Sequence, residues 1–169
     1  MVITPIVTKP FSRIAMDVVG PIDPSKRNNR FILSVVIMCS RYPHAVPLKS
    51  IETKVIVQEL MKCFSNIGLC NYLCPDLGTN FTSKLMKEFC MAMGITQLHS
   101  TAYRPQTNGC VEKWNGCLKS MLQTGLVGKD KSNWDLLLPS ILLLIGVLPI
   151  ESQVFRRLRW FMGFQLKYR

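Results

Sequence analysis

The chain has 169 residues, of which 48% are apolar, and it carries 21 Lys and Arg against 10 Asp and Glu. This length corresponds to one domain with its own core, and the apolar content excludes an intrinsically disordered chain. The formal net charge of +11 suits a polyanion such as nucleic acid, or an anionic membrane surface. Because acids are scarce, the position of each one is informative.

The sequence pattern over residues 11–48 predicts an antiparallel meander of three strands. The hairpin loop 22–30 is polar and rich in turn residues, and Gly20-Pro21 ends the strand before it. The second strand is almost continuously apolar, as a strand buried on both faces would be. The predicted strands are Phe11–Val19, Phe31–Cys39 and His44–Leu48.

After Leu48 the pattern alternates between helical and extended segments. Apolar residues recur every three or four positions in the helical segments, and Gly68 and Gly94 suit their C-terminal caps. The predicted helices are Glu52–Gly68, Thr82–Met93, Cys110–Leu126 and Asn133–Leu148, and the predicted strands are Asn71–Cys74 and Ile95–His99. Residues 100–109 (STAYRPQTNG) are expected to form a polar, mobile loop. This order predicts a mixed α/β sheet, first antiparallel and then parallel, with helices on both faces.

Neither end of the chain is expected to be a targeting or membrane segment. The first ten residues contain no basic leader followed by a long apolar run. The longest uncharged stretch, 136–150, is shorter than the roughly 20 apolar residues that span a bilayer, and it contains Pro139 and Pro149. We therefore expect a buried helix starting near Pro139, and no membrane partner.

The cysteines are expected to be small buried hydrophobes in a reducing compartment. They are odd in number, most lie in apolar or helical contexts, and no CxxC pair occurs among Cys39, Cys63, Cys70, Cys74, Cys90, Cys110 and Cys117. A zinc site formed by Cys70, Cys74 and His99 is the alternative.

Three acids could form a phosphoryl-transfer site with two divalent metal ions. Such a site needs carboxylates from separate elements that converge on one point. Asp17 lies inside an apolar strand, Asp76 lies just beyond the fourth strand, and Glu112 lies in the first turn of the predicted long helix. The alternatives are an outward-facing position of Asp17 on an edge strand, a turn or capping role for Asp76, and complementation of the helix dipole by Glu112.

Four stretches carry a resemblance to a known family. They are PFSRIAMDVVGP (10–21), SRYPHAVPLKS (40–50), PDLGTNFTSKLMKEF (75–89) and HSTAYRPQTNGCVEKWNGCLKSML (99–122). The chain resembles the catalytic core of retroviral and long-terminal-repeat retrotransposon integrases, most closely the gypsy type. The family has two acids and then a glutamate that is separated from the second acid by 35 intervening residues, and 35 residues lie between Asp76 and Glu112.

The resemblance implies a ribonuclease H-like fold and a two-metal site in which Asp17, Asp76 and Glu112 hold Mg²⁺ or Mn²⁺. It implies that water trims a DNA end and that the 3′-hydroxyl then joins that end to target DNA. It also implies a homo-oligomer, DNA partners and a nuclear location. The implied division is a lead-in at 1–9, the catalytic core at 10–155 and a basic, apolar tail at 156–169.

The resemblance further implies a set of residues beside the bound DNA. They are Asn80, Tyr103, Arg104, Gln106, Asn108, Asn115 and Lys119. Asn80 could instead cap the helix that follows it, and a solvated helix face is the alternative for Lys119.

The sequence also departs from the family. The family usually has Asp-Gln-Gly where this chain has Asp76-Leu77-Gly78, and a hydroxyl residue at the position of Pro75. The C-terminal stretch, including SQVFRR at 152–157, departs further and suggests a degenerate or domesticated copy. A catalytically inactive relic that binds nucleic acid is therefore the alternative to an active enzyme, while an RNA-degrading relative lacks support in these motifs.

Overall fold

The structure, a computed structural model, describes residues 12–75, 78–98 and 105–147, without the side chains at 79, 105–108 and 146–147. The predicted lead-in and tail lie outside the described residues.

A five-stranded mixed sheet forms the centre of the fold. Its strands are β1 (Arg13–Val19), β2 (Phe31–Ile37), β3 (Pro43–Leu48), β4 (Tyr72–Pro75) and β5 (Thr96–Gln97). Their order is β3-β2-β1-β4-β5, with antiparallel pairing from β3 to β1 and parallel pairing from β1 to β5. The predicted change from an antiparallel to a parallel sheet is confirmed, and β1 is the central strand.

Helices cover both faces of this sheet, as predicted. They are α1 (Thr53–Ile67), α2 (Thr79–Thr82), α3 (Lys84–Ala92), α4 (Pro105–Gly125) and α5 (Trp134–Val147), with a 3₁₀ turn at Lys131–Asn133. Side chains alternate across each strand. In β1, Ile14 and Met16 therefore pack in the core under α1 and α3, while Ala15 and Val19 pack in the core under α4 and α5. β2 is buried on both sides, as its continuous apolar run predicted.

The predicted single helix over 82–93 is wrong. Ser83 has extended backbone (φ −61°, ψ 154°) and separates α2 from α3. Its hydroxyl accepts a hydrogen bond from the backbone N–H of Met86 at 3.3 Å and so caps α3. Within α3, Met86 and Phe89 are buried whereas Leu85 is 43% exposed.

The long helix α4 starts five residues earlier than predicted, at Pro105 rather than Cys110. Proline suits a first helical position because its fixed φ is helical and its missing N–H would have no partner there. The predicted loop is therefore helical from Pro105 onward. Glu112 is consequently in the third turn of α4 and not in the first, and complementation of the helix dipole does not account for it.

The helix predicted over Asn133–Leu148 is confirmed, whereas the expected start near Pro139 is wrong, and the helix is buried on one side only. α5 starts at Trp134 and contains Pro139 in its interior. Its outer side exposes Leu136, Leu143 and Leu144 to solvent. In the segments that the structure describes, no helix combines the length and the apolar character needed to cross a membrane.

A buried polar cluster joins the β1–β2 loop to the start of α5. The carboxylate of Asp135, which is 4% exposed, accepts hydrogen bonds from Ser25 Oγ at 2.9 Å and Asn29 Nδ2 at 2.8 Å. Trp134 Nε1 donates to the carbonyl of Asp23 at 2.9 Å. These contacts fix the loop that follows β1.

We expect Asp135→Ala to destabilise the fold by about 2–4 kcal/mol, because it removes the acceptor of two buried donors. Asp130→Ala is the matched control, since Asp130 pairs with Lys26 at 2.8 Å at an exposed position of the same connection. Urea unfolding of both variants measures the difference. Equal losses of unfolding free energy in the two variants would contradict the structural role of the buried cluster.

Candidate functional site

Asp17 lies in the central strand, which excludes the outward-facing edge-strand interpretation. In β1 it is opposite Ser34 of β2, and its neighbour Met16 pairs with Pro75 at the end of β4. The side chain of Asp17 is half-buried. A carboxylate in this environment requires polar partners.

Two hydrogen bonds orient the Asp17 carboxylate. The backbone N–H of Val18 donates to Oδ1 at 2.7 Å, and Asn115 Nδ2 donates to Oδ2 at 2.8 Å. Each carboxylate oxygen can accept more than one hydrogen bond, so these two bonds do not by themselves exclude a further ligand. The Asn115 bond also connects β1 to α4.

Apolar packing determines which side of α4 faces Asp17. Val111, Leu118 and Leu122 are buried against the sheet and anchor the helix. Glu112 precedes Asn115 by three residues, so both occupy neighbouring positions on one side of α4. Glu112 is exposed and therefore lies at the solvent edge of the side of α4 that contacts Asp17.

Several predicted site residues cannot be placed. Asp76, Tyr103 and Arg104 lie outside the described residues, as do the side chains of Gln106 and Asn108, whose backbone belongs to α4. No three or more His, Cys, Asp or Glu of the described segments are grouped to hold a metal ion. Asp76, one of the three predicted ligands, lies outside the described segments, so this absence does not extend to a group that includes it.

Asn80 does not cap the following helix. It lies within α2, and Ser83 caps α3. Its backbone carbonyl accepts from Thr53 Oγ1 and from Ser83 Oγ, each at 3.1 Å. The capping alternative for Asn80 is therefore wrong, and a contact with DNA stays a prediction.

A groove of about 730 Å³ lies beside the end of β1 and the second half of α4. We call it the lysine groove, because Lys119, Lys129 and Lys131 line it around an apolar floor that includes Leu122 and Leu126. Lys119 is on the same side of α4 as Glu112, two turns further along. Sequence analysis missed Lys129 and Lys131, although the run Lys129-Asp130-Lys131 after a helix was a visible signal.

The lysine groove carries an excess of positive charge. None of its three lysines forms an ion pair within the described part of the chain, and Asp23 is the acid among the lining residues. Lys119 thus connects the side of α4 that carries Glu112 to a cationic surface beyond it.

Burial makes the cysteine thiols unreactive. Desolvation raises the pKa of Cys63 to about 11 and that of Cys70 to about 12. Both therefore remain protonated at neutral pH, and the thiolate is the form that reacts and binds metals. Cys74 and Cys90 are buried too, which agrees with the prediction of small buried hydrophobes, whereas Cys39, Cys110 and Cys117 are only partly buried.

The comparisons with known sequences point to one family. Residues 7–105 match the family model described as "Integrase core domain". The chain is 25% identical over 136 residues to the retrovirus-related Pol polyprotein from transposon 412 of Drosophila melanogaster, covering 80% of this chain and 11% of that protein. It is 32% identical over 129 residues to the Pro-Pol polyprotein of simian foamy virus type 3, covering 76% of this chain and 11% of that protein. The chain thus spans about a tenth of these relatives.

A solved structure shares the fold. A chain of the simian T-cell lymphotropic virus intasome, solved in complex with the PP2A regulatory subunit B56 gamma, superposes with a TM-score of 0.73 at 19% identity. The match covers 87% of this chain and 52% of that chain. The sheet order and the helices on both faces are therefore those of the ribonuclease H-like integrase fold.

We expect Asn115→Asp to be less stable than the wild type by about 2–4 kcal/mol at pH 7, because it places a second carboxylate against Asp17. Like charges raise the pKa of such a pair in the folded state. The folded variant then binds more protons than the unfolded one, so its stability falls as the pH rises above about 4. Melting temperatures between about pH 4 and pH 7 test this.

Asn115→Ala is the control for this pair. It removes the amide without adding charge, so its deficit should change less with pH. If the deficit of Asn115→Asp does not grow between pH 4 and pH 7 relative to that of Asn115→Ala, the contact between position 115 and Asp17 is contradicted.

Proposed function

The chain belongs to the integrase core domain family, and we propose that it is a divalent-metal-dependent DNA strand transferase and endonuclease of a mobile element. The observation that supports this proposal is the hydrogen bond from Asn115 of α4 to Asp17 of β1, with Glu112 one turn before Asn115 on the same helix. Metal-dependent cleavage of DNA by the purified chain is the experiment that tests it.

The donor set fits hard divalent cations. Mg²⁺ and Mn²⁺ prefer carboxylate oxygens and retain several waters. The oriented carboxylate of Asp17 and the exposed carboxyl group of Glu112 suit such a shell. We assign the third ligand to Asp76, which follows Pro75 directly. Cys74, two positions earlier in β4, packs in the core on the α4 side of the sheet.

In this proposal three acids bind the metal ions, and Asn115 orients one of these acids. Asp17, Asp76 and Glu112 hold two Mg²⁺ or Mn²⁺ ions, which when bound activate the attacking oxygen and stabilise the leaving oxygen of a phosphodiester. Asn115 holds Asp17 in one orientation. The chain aligns a water for end trimming, and then the 3′-hydroxyl of the trimmed end for attack on target DNA.

Positive charge would hold the DNA next to these acids. Lys119 would contact a phosphate close to the reacting end, and Lys129 and Lys131 would extend the contact along the lysine groove. We assign the flanks of the DNA end to the remaining predicted residues, which are Asn80, Tyr103, Arg104, Gln106 and Asn108. The proposal further includes paired end joining, a homo-oligomeric assembly and a nuclear location. These three properties belong to the proposal alone, since the chain spans only about a tenth of the length of its relatives.

A catalytically inactive relic that binds nucleic acid is the second candidate. Leu77 and Pro75 favour it, because both replace the residues usual in the family next to the proposed ligand Asp76. The lysine groove serves this candidate equally well. DNA cleavage separates the two candidates, and DNA binding does not.

We expect slow, Mn²⁺-favoured resolution of a branched DNA that already holds a 3′-hydroxyl next to the scissile phosphate. Such a substrate supplies the alignment that paired end joining would otherwise require from further subunits. Glu112→Gln should abolish the reaction, since it removes a metal-binding charge and preserves side-chain size. Leu77→Gln should leave the rate unchanged or raise it. Gel analysis of labelled products gives the rates.

The relic candidate predicts a different outcome of the same assay. The wild type and Leu77→Gln would then both be inactive, although folded and able to bind DNA. Cleavage that persists undiminished in Glu112→Gln, and that co-purifies with the folded protein, would contradict the assignment of Glu112.

A second prediction concerns the lysine groove. The double variant Lys129→Ala/Lys131→Ala should make log K for duplex DNA depend less steeply on log salt, by about 1.8, since each lost phosphate contact contributes about 0.9. Lys54→Ala/Lys87→Ala is the matched control. It removes the same charge from exposed positions of α1 and α3, on the opposite face of the sheet. Equal changes in the two double variants would contradict a local DNA contact in the groove.

A further inference from the structure

Three buried polar atoms have no hydrogen-bond partner among the described residues. They are Ser34 Oγ, Trp114 Nε1 and Asn115 Oδ1. Their residues are 0%, 9% and 7% exposed, respectively. Buried polar atoms of folded proteins are bonded to protein or to ordered water in the great majority of cases, so three such atoms at one interface require an explanation.

All three atoms belong to the interface between the sheet and α4. Ser34 lies on the same face of β2 as Ile32 and Val36, because side chains two positions apart in a strand point to the same side. Ile32 and Val36 pack in the core on the α4 side of the sheet. Trp114 belongs to the same core, and Asn115 follows it and contacts Asp17.

The strand register brings Ser34 next to Asp17. The two residues are direct partners across the antiparallel β1–β2 pair, which places their Cβ atoms about 4.5–5.5 Å apart on one face. Asn115 Nδ2 is bonded to Asp17 Oδ2 at 2.8 Å, and Oδ1 belongs to the same amide. The hydroxyl of Ser34 and the free oxygen of Asn115 thus border the same carboxylate.

The three atoms are complementary in hydrogen bonding. Ser34 and Trp114 offer donors, and Asn115 Oδ1 offers an acceptor. One water could accept from both donors and donate to Asn115, which gives the roughly three bonds typical of a buried water. We propose that Ser34 is a positioning residue for Asp17, acting through Asn115 and one internal water.

The consequence of this link is the orientation of one amide group. If Asn115 rotated by half a turn about its last side-chain bond, Oδ1 would face the Asp17 carboxylate, and two acceptors would be in contact. A water that donates to Oδ1 opposes this rotation and keeps Nδ2 directed at Asp17. Ser34 therefore helps to fix the lone pairs of Asp17 that the proposed function assigns to a metal ion. The link between Ser34 and Asn115 itself does not require that function.

The test uses Ser34→Ala together with the pair Ser34→Thr and Ser34→Val. Thr and Val add the same bulk, and Thr alone retains the hydroxyl. The first readout is the NMR signal of the Asn115 side-chain NH₂ group in the metal-free protein. This signal is assigned by its loss in the variant Asn115→Ala. The second readout is Mn²⁺ affinity from the metal-dependent shift of the melting temperature. If the Thr and Val variants do not fold, the comparison of Ala with the wild type decides.

We expect Ala and Val to shift or broaden the Asn115 signal and to weaken Mn²⁺ binding by about tenfold or less, whereas Thr retains both properties. An Asn115 signal unchanged in Ala and Val, with a higher melting temperature from removal of an unbonded hydroxyl, overturns the proposal. Absence of Mn²⁺ binding in the wild type counts against the proposed function instead. The Asn115 signal then still decides the role of Ser34.

Discussion

The hydrogen bond from Asn115 to Asp17 joins α4 to the central strand, and the geometry of the candidate site depends on it. Asp17 is in β1 and Glu112 is in α4, nearly a hundred positions later in the chain, so only the packing of these two elements relates their carboxyl groups. Successive residues of a helix are about 100° apart around its axis. A shift of α4 by one residue would therefore turn Asn115 away from β1. The buried residues Val111, Leu118 and Leu122 prevent that shift.

Hydrophobic periodicity and turn residues predict most of the sheet, because strands buried on both faces leave a strong signal in the sequence. They predict local boundaries less well. Ser83 interrupts a helical pattern by capping a new helix, and Pro105 extends a helix into a segment of typical loop composition. In both cases one residue has two possible roles, and tertiary packing selects between them.

The candidate site divides in the same way. The acids could be selected from the sequence because carboxylates are rare in this basic chain and Asp17 lies within an apolar run. The central position of Asp17 in the sheet could not be predicted from the sequence, because it depends on the parallel pairing of β1 with β4. The lysine groove and the contact of Ser34 with the Asp17 region also combine residues that are distant in sequence. Pro75 shows the converse, since the fold accommodates this departure from the family as the last residue of β4, where a missing N–H is tolerated more readily than inside a strand.

The central claim is that Asp17, Asp76 and Glu112 converge on divalent metal ions. A crystal structure of the protein with Mn²⁺, analysed by anomalous scattering, tests it most directly. The account predicts anomalous peaks bounded by the carboxylates of all three residues, with Asn115 still bonded to Asp17. Peaks at other positions, or carboxylates of Asp76 and Glu112 that do not share an ion with Asp17 at saturating Mn²⁺, would contradict it.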